Sequence, residues 1–132
     1  MRHVLMERMC FSVGFYNDHH FHYGYHIYAA AVVAHFDERW GQENYERVLL
    51  LIRDFANPST LDGAFPVFRN KDWYFGSSWA SGITRPIFPI GMNQESSSEA
   101  IAAYEAVALF GSTMVRCTDS ILADPYALLN SL

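Results

Sequence analysis

Apolar residues recur at intervals of three and four in three parts of the chain, a pattern typical of amphipathic helices. The intervals predict helices over about 18–36, 42–56 and 96–114. Asn17 is expected to cap the first helix, and Asn57-Pro58 to end the second. A weaker fourth segment covers about 120–129, and no alternating strand pattern of convincing length is present. The pattern therefore predicts an all-α fold of three to four helices.

Each predicted helix has an apolar side that is expected to be buried. For the first helix this side comprises Phe21, Tyr25, Tyr28, Ala29, Val32 and Phe36. For the second it comprises Tyr45, Val48, Leu49, Ile52 and Phe55. For the third it comprises Ile101, Tyr104, Val107, Ala108 and Phe110.

A long segment, 58–92, separates the second and third helices and carries many aromatic side chains. Loops longer than about 12–15 residues are usually functional or disordered, and the density of rings argues against disorder. Aromatic faces pack on the C–H faces of sugars, and polar neighbours read the hydroxyl groups. Trp73, Trp79 and Tyr74 are candidates for such stacking, with Arg69 and Asp72 as hydrogen-bonding groups. We interpret this loop as the wall of a groove, although about half of its rings could belong to the core.

Composition limits the class of protein. At 132 residues the chain is one domain at most, and 51% apolar residues with 17% charged ones describe a folded chain. The net charge of −5 argues against nucleic acid or an anionic membrane as a partner. No apolar run reaches about 18 residues, so no membrane-spanning helix is expected. Glu7 and Arg8 interrupt any signal-peptide core, and the spacing of Cys10 and Cys117 leaves their state open.

The first predicted helix begins with a carboxylate among histidines, in the segment Tyr16 to Ala29. Asp18 at the helix start is open to a ligand, and neighbouring rings can desolvate it, which raises a carboxyl pKa as a general acid requires. The helix dipole acts in the opposite direction. On this spacing alone, Asp18 is as well explained as a helix cap.

Two further carboxylates stand one turn apart at the start of the third helix. Ser96 and Glu99 match the Ser-x-x-Glu capping box, in which Glu99 would bond back to the Ser96 amide and Glu95 would lie outside the helix. Alternatively, carboxylates near a helix N-terminus stay ionised, which suits a general base. The residues themselves leave both readings open.

The histidines of the first helix could also supply metal ligands. Asp18, His22 and His26 share one helix face, and His19 and His20 lie beside them. However, the chain lacks the His-Glu-x-x-His pairing usual in zinc hydrolases. We therefore expect no metal and no other cofactor, with His19, His20 and His26 packed or satisfied by hydrogen bonds.

Three segments in this order resemble the catalytic core of glycoside hydrolase family 81, the endo-β-1,3-glucanases. They are YNDHHFHYGYHIYA from Tyr16, FPVFRNKDWYFGSSWASG from Phe65 and NQESSSEAIAAYEA from Asn93. The resemblance implies that residues 1–132 are a fragment of the C-terminal catalytic domain, a partial (α/α)6 barrel with a long aromatic-rich loop. A fragment of this kind should expose faces such as Val48, Leu49 and Ile52.

The same resemblance assigns roles to residues. It implies that Asp18 is the general acid, that Glu95 and Glu99 belong to the active site, and that His22 contacts substrate or tunes the acid. Acid and base on different helices suit an inverting mechanism, in which the two carboxyl groups stand about 6.5–9.5 Å apart. The chain departs from the family at Ser77, where the family has a histidine.

The expected function is endo-hydrolysis of β-1,3-glucosidic bonds in laminarin-like or cell-wall glucan. The alternative is an inactive or weak glucan-binding remnant that keeps the aromatic groove. β-1,3-glucan is then the partner, and the family implies an extracellular or cell-wall location. The oligomeric state is left open.

Overall fold

A computed structural model describes residues 18–80 and 93–123, with side chains described as far as residue 117. Its elements, in chain order, are α1 (His19–Phe36), α2 (Glu38–Ala56), β1 (Lys71–Asp72), β2 (Ser77–Ser78) and α3 (Ser97–Ala123). The prediction of a mainly helical fold is confirmed. Helix α1 packs on both α2 and α3, and the two short strands pair antiparallel with Lys71 opposite Ser78.

The turn between α1 and α2 is a single residue, Asp37. Its backbone N–H donates to the Val33 carbonyl at the end of α1, and its carboxylate accepts a 2.9 Å bond from the Trp40 amide. This cap starts α2 at Glu38, four residues before the predicted start at Gln42. The prediction was late because Trp40 of the first turn has polar residues three and four positions further on, so the apolar repeat begins only at Tyr45.

Small residues form much of the buried side of α1, together with His20, Phe21 and Ile27. The buried residues that face its neighbours include Gly24, Ala30, Ala31 and Ala34. The predicted side was wrong except at Phe21, because the residues exposed to solvent include Tyr25, Tyr28, Ala29, Val32 and Phe36. Apolar residues surround this helix, so periodicity alone does not select a side, and close approach of α3 favours glycine and alanine.

Gly24 lies where α1 and α3 approach most closely. A Cβ atom at this position would stand 2.6 Å from both Cα and Cβ of Ala103. We expect Gly24→Ala to lower the melting temperature, because overpacking costs about 1–3 kcal/mol and outweighs a helix-propensity gain of about 1 kcal/mol. Gly111→Ala is the matched control, since nothing lies within 4 Å of its Cβ position. Equal stability of the two variants would contradict this packing.

The core is shared by all three helices. Val48, Ile52 and Phe55 of α2 are buried against alanines of α1 and α3, and Phe110 closes the cluster. The expectation that the side of α2 containing Val48 and Ile52 would be exposed is therefore wrong. It is the aromatic side of α1 that remains uncovered among the described residues.

Helix α3 is longer than predicted. It continues past the predicted end at Met114 to Ala123, so residues 120–123 of the predicted fourth helix belong to α3. The rest of that segment lies outside the described residues, as do Asn17 and Cys10. The part Ser97–Cys117 is long and apolar enough, with a mean hydropathy of 1.2, to cross a membrane by length and composition alone. Core helices of soluble proteins pass the same test, so this carries little weight.

The described part of the long loop, 57–80, is held by polar contacts. Buried Asn57 donates to the carbonyls of Ser59 and Phe65 at 3.0 and 2.6 Å. Arg53 forms two bonds, of 2.6 and 3.0 Å, with the carboxylate of Asp62. The loop is thereby fixed to the end of α2, which positions its second half beside the start of α1.

Candidate active site

Asp18 occupies the N-cap position of α1 without using its side chain as a cap. Its backbone is left-handed, with φ 54°, and its carboxylate makes no capping bond. Its N–H instead donates to the Ala80 carbonyl at 2.7 Å. The reading of Asp18 as a simple helix cap is therefore wrong, and its carboxyl group is available for other chemistry.

Asn93 links the loop to the segment that precedes α3. Its carbonyl accepts bonds from the Ala80 amide at 3.1 Å and the Ser78 hydroxyl at 3.2 Å. Its side-chain Oδ1 accepts the Glu95 amide at 3.0 Å. A continuous series of bonds therefore runs from Asp18 through Ala80 and Asn93 to Glu95, and brings the starts of α1 and α3 together.

The side chains of Asp18 and Glu95 lie within hydrogen-bonding reach of each other. Partial burial of the Glu95 carboxyl, then the charge and hydrogen bond of Asp18, then the charge of Glu99, raise the pKa of Glu95. Asp18 Oδ1 is also buried and has no donor among the described residues. Two adjacent carboxylates repel each other, which is why the Asp18 charge contributes to the raised pKa of Glu95.

Backbone strain coincides with this pair. Three residues other than glycine have positive φ in the described ranges 18–80 and 93–123, namely Asp18, Phe68 and Glu95 at 54°, 41° and 56°. Such conformations cost about 1–3 kcal/mol each and cluster at functional sites. Two of the three are the carboxylates predicted as catalytic, which is consistent with a site whose geometry is imposed by its surroundings.

Glu99 lies in the first turn of α3 and is bonded across to α1. Its Oε1 accepts a 2.9 Å bond from the Tyr25 hydroxyl, and this bond raises the pKa of Tyr25. Its backbone N–H donates a 3.3 Å bond to the Ser96 hydroxyl oxygen. The return bond of a capping box is absent here, because the Ser96 amide donates to the Gln94 carbonyl. The Glu99 carboxylate is therefore directed toward α1 rather than back to its own helix.

A buried ionic cluster holds the first turn of α1. His19 Nδ1 stands 2.7 Å from Asp54 Oδ2, and Arg69 bonds both the Asp54 carboxylate and the Asp54 carbonyl. Burial alone would raise the pKa of Asp54, but the His19 bond and the Arg69 charge outweigh it and lower that pKa. The sequence analysis missed Asp54, and it considered Arg69 as a sugar contact. No local pattern joins these residues, because they lie 15 to 50 positions apart.

The remaining predicted substrate residues are distributed over α1 and the hairpin. His22 is half-buried on α1, and Trp79, with 41% of its surface exposed, pairs with Asn93 beside the carboxylates. Trp73 is 66% exposed and packs edge-on against Phe68. The Asp72 carboxylate accepts the amides of the hairpin turn. The backbone of Trp79 is thus paired with Asn93, two residues before Glu95, and His22 lies one turn after Asp18, whereas Trp73 and Asp72 belong to the hairpin.

His20 is a buried titratable group that the sequence analysis treated as packing. The side chain is fully buried, and neither ring nitrogen has a hydrogen-bond partner among the described residues. Burial, then the charge of Arg69, lower the pKa of His20 to about 4; Glu99 opposes this shift, and His19 and His22 add to it. His20 is therefore neutral near pH 7.

The lowered pKa of His20 predicts a pH-dependent stability. As the pH decreases from 6.5 to about 4, the unfolded chain takes up a proton that the folded chain does not yet bind. The free energy of unfolding should therefore decrease as the pH is lowered through this range. The full effect is on the order of 3 kcal/mol. Denaturant unfolding at several pH values should show a weaker fall for His20→Phe than for the unchanged chain. His26→Phe, at an exposed position of α1, should keep the full fall; a His20→Phe curve parallel to it would contradict the assignment.

Within the described ranges, no group of three or more His, Cys, Asp or Glu residues is arranged to hold a metal ion. The site brings three carboxyl groups, Asp18, Glu95 and Glu99, to two adjacent helix starts. Carboxyl groups arranged in this way are typical of glycoside hydrolases.

Comparison with known proteins agrees with that class. The model of the glycosyl hydrolase family 81 C-terminal domain matches residues 4–123. The chain belongs to glycoside hydrolase family 81.

Relatives and a solved structure support this membership. A glucan endo-1,3-beta-D-glucosidase of Acetivibrio thermocellus is 52% identical over 97 residues, 72% of this chain. The primary septum glucan endo-1,3-beta-D-glucosidase of Schizosaccharomyces pombe is 42% identical over 106 residues, 79% of this chain. A family 81 glycoside hydrolase from Clostridium thermocellum, solved as a mutant, matches 77% of the chain with a TM-score of 0.66 and 49% identity.

The chain spans a small part of these proteins. It covers 12% and 10% of the two curated relatives and 14% of the solved chain. What those complete proteins do therefore enters as a proposal for this chain.

Proposed function

We propose that this chain carries the acid and base groups of an endo-β-1,3-glucanase. The main support for this proposal is the contact between Asp18 and Glu95. Backbone bonds through Ala80 and Asn93 hold the two residues together, and Glu99 follows in the first turn of α3. The names of the relatives, glucan endo-1,3-beta-D-glucosidases, supply the substrate class. An extracellular or cell-wall location follows from the same proposal, and a net charge of −5 does not hinder binding of a neutral polysaccharide.

Asp18 is the proposed general acid. Its carboxyl group makes no capping bond and lies beside Glu95, where the starts of the two helices meet. In its protonated form, Asp18 donates a proton to the glycosidic oxygen as the bond from that oxygen to the anomeric carbon breaks. The departing sugar leaves as an alcohol, and positive charge develops on the ring that remains.

A glutamate of the α3 start is the proposed general base. It removes a proton from a water molecule as the water oxygen bonds to the anomeric carbon from the opposite face, which inverts that centre. An inverting pair needs about 6.5–9.5 Å between carboxyl groups. Asp18 and Glu95 are closer than this without substrate, so Glu95 could serve only if the sugar separates the pair. Glu99 is held by Tyr25 rather than by Asp18, so its use as the base does not require the contact between Asp18 and Glu95 to open.

Trp79 and His22 are the proposed sugar contacts nearest to the carboxylates, with Trp73 and Asp72 further out on the hairpin. Trp79 keeps 41% of its surface exposed and follows the strand that is bonded to Asn93. An exposed indole beside the reacting bond can stack on a sugar face, which orients the linkage toward Asp18.

A glucan-binding remnant is the second candidate. Ser77 supports it, because this position next to the site carries a small hydroxyl side chain where the family has a histidine. Such a remnant would bind glucan through the exposed rings and turn it over slowly or not at all.

Reducing-end release separates the two candidates. The purified chain is incubated with laminarin and, as a linkage control, with a soluble β-1,4-glucan. We expect release from laminarin alone. Retention on immobilised β-1,3-glucan without release would favour the remnant, and absence of both binding and release would contradict both candidates.

A further inference from the structure

The ionic cluster of His19, Asp54 and Arg69 joins the end of α2 to the start of α1 and to the loop. His19 Nδ1 lies 2.7 Å from Asp54 Oδ2 and 3.0 Å from Arg69 Nη2, and the His19 and Asp54 side chains are only 5% and 15% exposed. Burial alone would raise the pKa of Asp54, but the His19 bond and the Arg69 charge lower it, so Asp54 is ionised near pH 7. The proposed acid and base chemistry does not involve this cluster, yet two connections run from it to Asp18.

The first connection runs through His19. This residue is the first of α1, and Asp18 immediately precedes it. The contact with Asp54 fixes the start of α1 against the end of α2. The backbone that carries Asp18 is therefore held from its helix side.

The second connection runs through Arg69 and the loop. The Arg69 guanidinium donates from Nε to the Asp54 carbonyl at 2.9 Å and from Nη2 to the Asp54 carboxylate. The next residue, Asn70, is 1% exposed, and its carbonyl accepts the Trp79 amide at 2.8 Å. Asn70 and Trp79 flank the β1–β2 hairpin, so the base of the hairpin is fixed to the end of α2.

These two connections meet at the backbone bond between Asp18 and Ala80. Ala80 follows Trp79, and its carbonyl accepts the Asp18 amide at 2.7 Å. His19 holds the donor side of this bond, and Arg69 holds the acceptor side. Both sides are therefore fixed to a single carboxylate of α2.

The left-handed backbone of Asp18 requires such support. Its φ of 54° is strained, and conformations of this kind persist only where the surrounding structure imposes them. The Asp18 carboxylate makes no capping bond that would hold it to α1. Charge-assisted bonds to a guanidinium are strong and directional, so the ionic cluster is suited to impose this conformation.

We propose that Asp54 is a positioning residue of the candidate active site, which holds the Asp18 carboxyl group beside Glu95 by way of His19 and Arg69. The benefit to catalysis rests on the proposed function, whereas the positioning itself rests on these contacts. Asp54 acts through Asp18 and not on the substrate.

The first test is Arg69→Lys, which keeps the positive charge but removes the Nε bond to the Asp54 carbonyl and the planar fork. Arg53→Lys is the matched control, because it makes the same change in the neighbouring pair with Asp62, which also joins α2 to the loop. The bonds of Asn57 still hold that part of the loop in the control.

Two measurements report the position of Asp18 without any need for activity. Partial burial and then the Asp18 carboxyl raise the pKa of Glu95, so withdrawal of Asp18 in Arg69→Lys should lower that pKa in a carboxyl ¹³C NMR titration. The Asp18 amide should also exchange its hydrogen about tenfold faster or more, because its bond to Ala80 is loosened. Arg53→Lys should change neither quantity.

A second variant, Asp54→Asn, tests the effect on the reaction. A small displacement of a catalytic group can cost up to about 10²-fold in rate, so kcat on laminarin should fall by at least about tenfold while KM changes little. The melting temperature is measured on the same samples. If Asp54→Asn does not fold, kcat and KM of Arg69→Lys are compared with those of Arg53→Lys instead.

The outcomes distinguish this proposal from the proposed function. A lowered pKa of Glu95 and faster exchange at Asp18 in Arg69→Lys alone, with no glucan release by the unchanged chain, would uphold the positioning and contradict the hydrolase. An unchanged pKa of Glu95 and unchanged exchange at Asp18, or equal changes in Arg53→Lys, would overturn the positioning. Glucan release with kcat within about threefold of the unchanged chain in the folded Asp54→Asn variant would overturn it as well.

Discussion

Asp18→Asn should abolish most turnover of β-1,3-glucan while glucan binding and folding persist. The amide keeps the size of the side chain but cannot donate a carboxyl proton, and general acid catalysis is worth about 10²–10⁴-fold. Stability should change little, because the Asp18 carboxylate makes no capping bond to α1. The measurement is kcat on laminarin, with the melting temperature and glucan affinity determined on the same samples.

A parallel substitution strengthens this test. The same change is also made in a complete protein that contains this domain, so that the effect is measured outside the fragment as well. Asp62→Asn is the control in this chain, because Asp62 pairs with Arg53 in the loop rather than at the site. A loss of less than about threefold in kcat for Asp18→Asn would remove Asp18 from the chemistry.

Glu95→Gln and Glu99→Gln should separate the general base from its neighbour. The base variant should lose at least about 10²-fold in turnover and keep its melting temperature. A glutamate that only supports the helix would instead lower stability, by about 0.5–2 kcal/mol, and leave turnover intact. We expect at least one of the two variants to show the catalytic pattern.

Azide supplies an independent control for that pair of variants. A small anion can replace the water that the missing carboxylate would activate, so added azide should restore glucan cleavage in the base variant and in it alone. The unchanged chain should show no acceleration. If both glutamine variants are merely less stable and still cut glucan, the segment before α3 is a helix cap and its catalytic assignment is wrong.

Local patterns predicted the helices better than their packing. The interval of apolar residues located α2 and its buried Val48, Ile52 and Phe55, because the opposite side of that helix is charged. On α1 the same reasoning selected the wrong side, since large apolar residues surround it and alanines make the contacts. The cap of α2 at Asp37 was overlooked because a cap consists of one polar residue and leaves no periodic signal.

The candidate site shows the same division between local and distant information. The carboxylates Asp18, Glu95 and Glu99 could be chosen from motifs, since each stands within a few residues of a helix start. The contact of Asp18 with Glu95 depends on Ala80 and Asn93, which lie far from Asp18 in the chain. The unpaired nitrogens of His20 depend on how three elements pack, and no spacing in the sequence reports that.

The configuration of the first product tests most directly the claim that an acid and a base on separate helix starts cut the glucan with water. Proton NMR during the first minutes of laminari-oligosaccharide hydrolysis distinguishes the α- and β-anomers before they equilibrate. The account predicts the α-anomer from the β-linked substrate, which is inversion by a single attack of water. Initial release of the β-anomer would contradict it, because retention requires one of these carboxylates to act as the nucleophile.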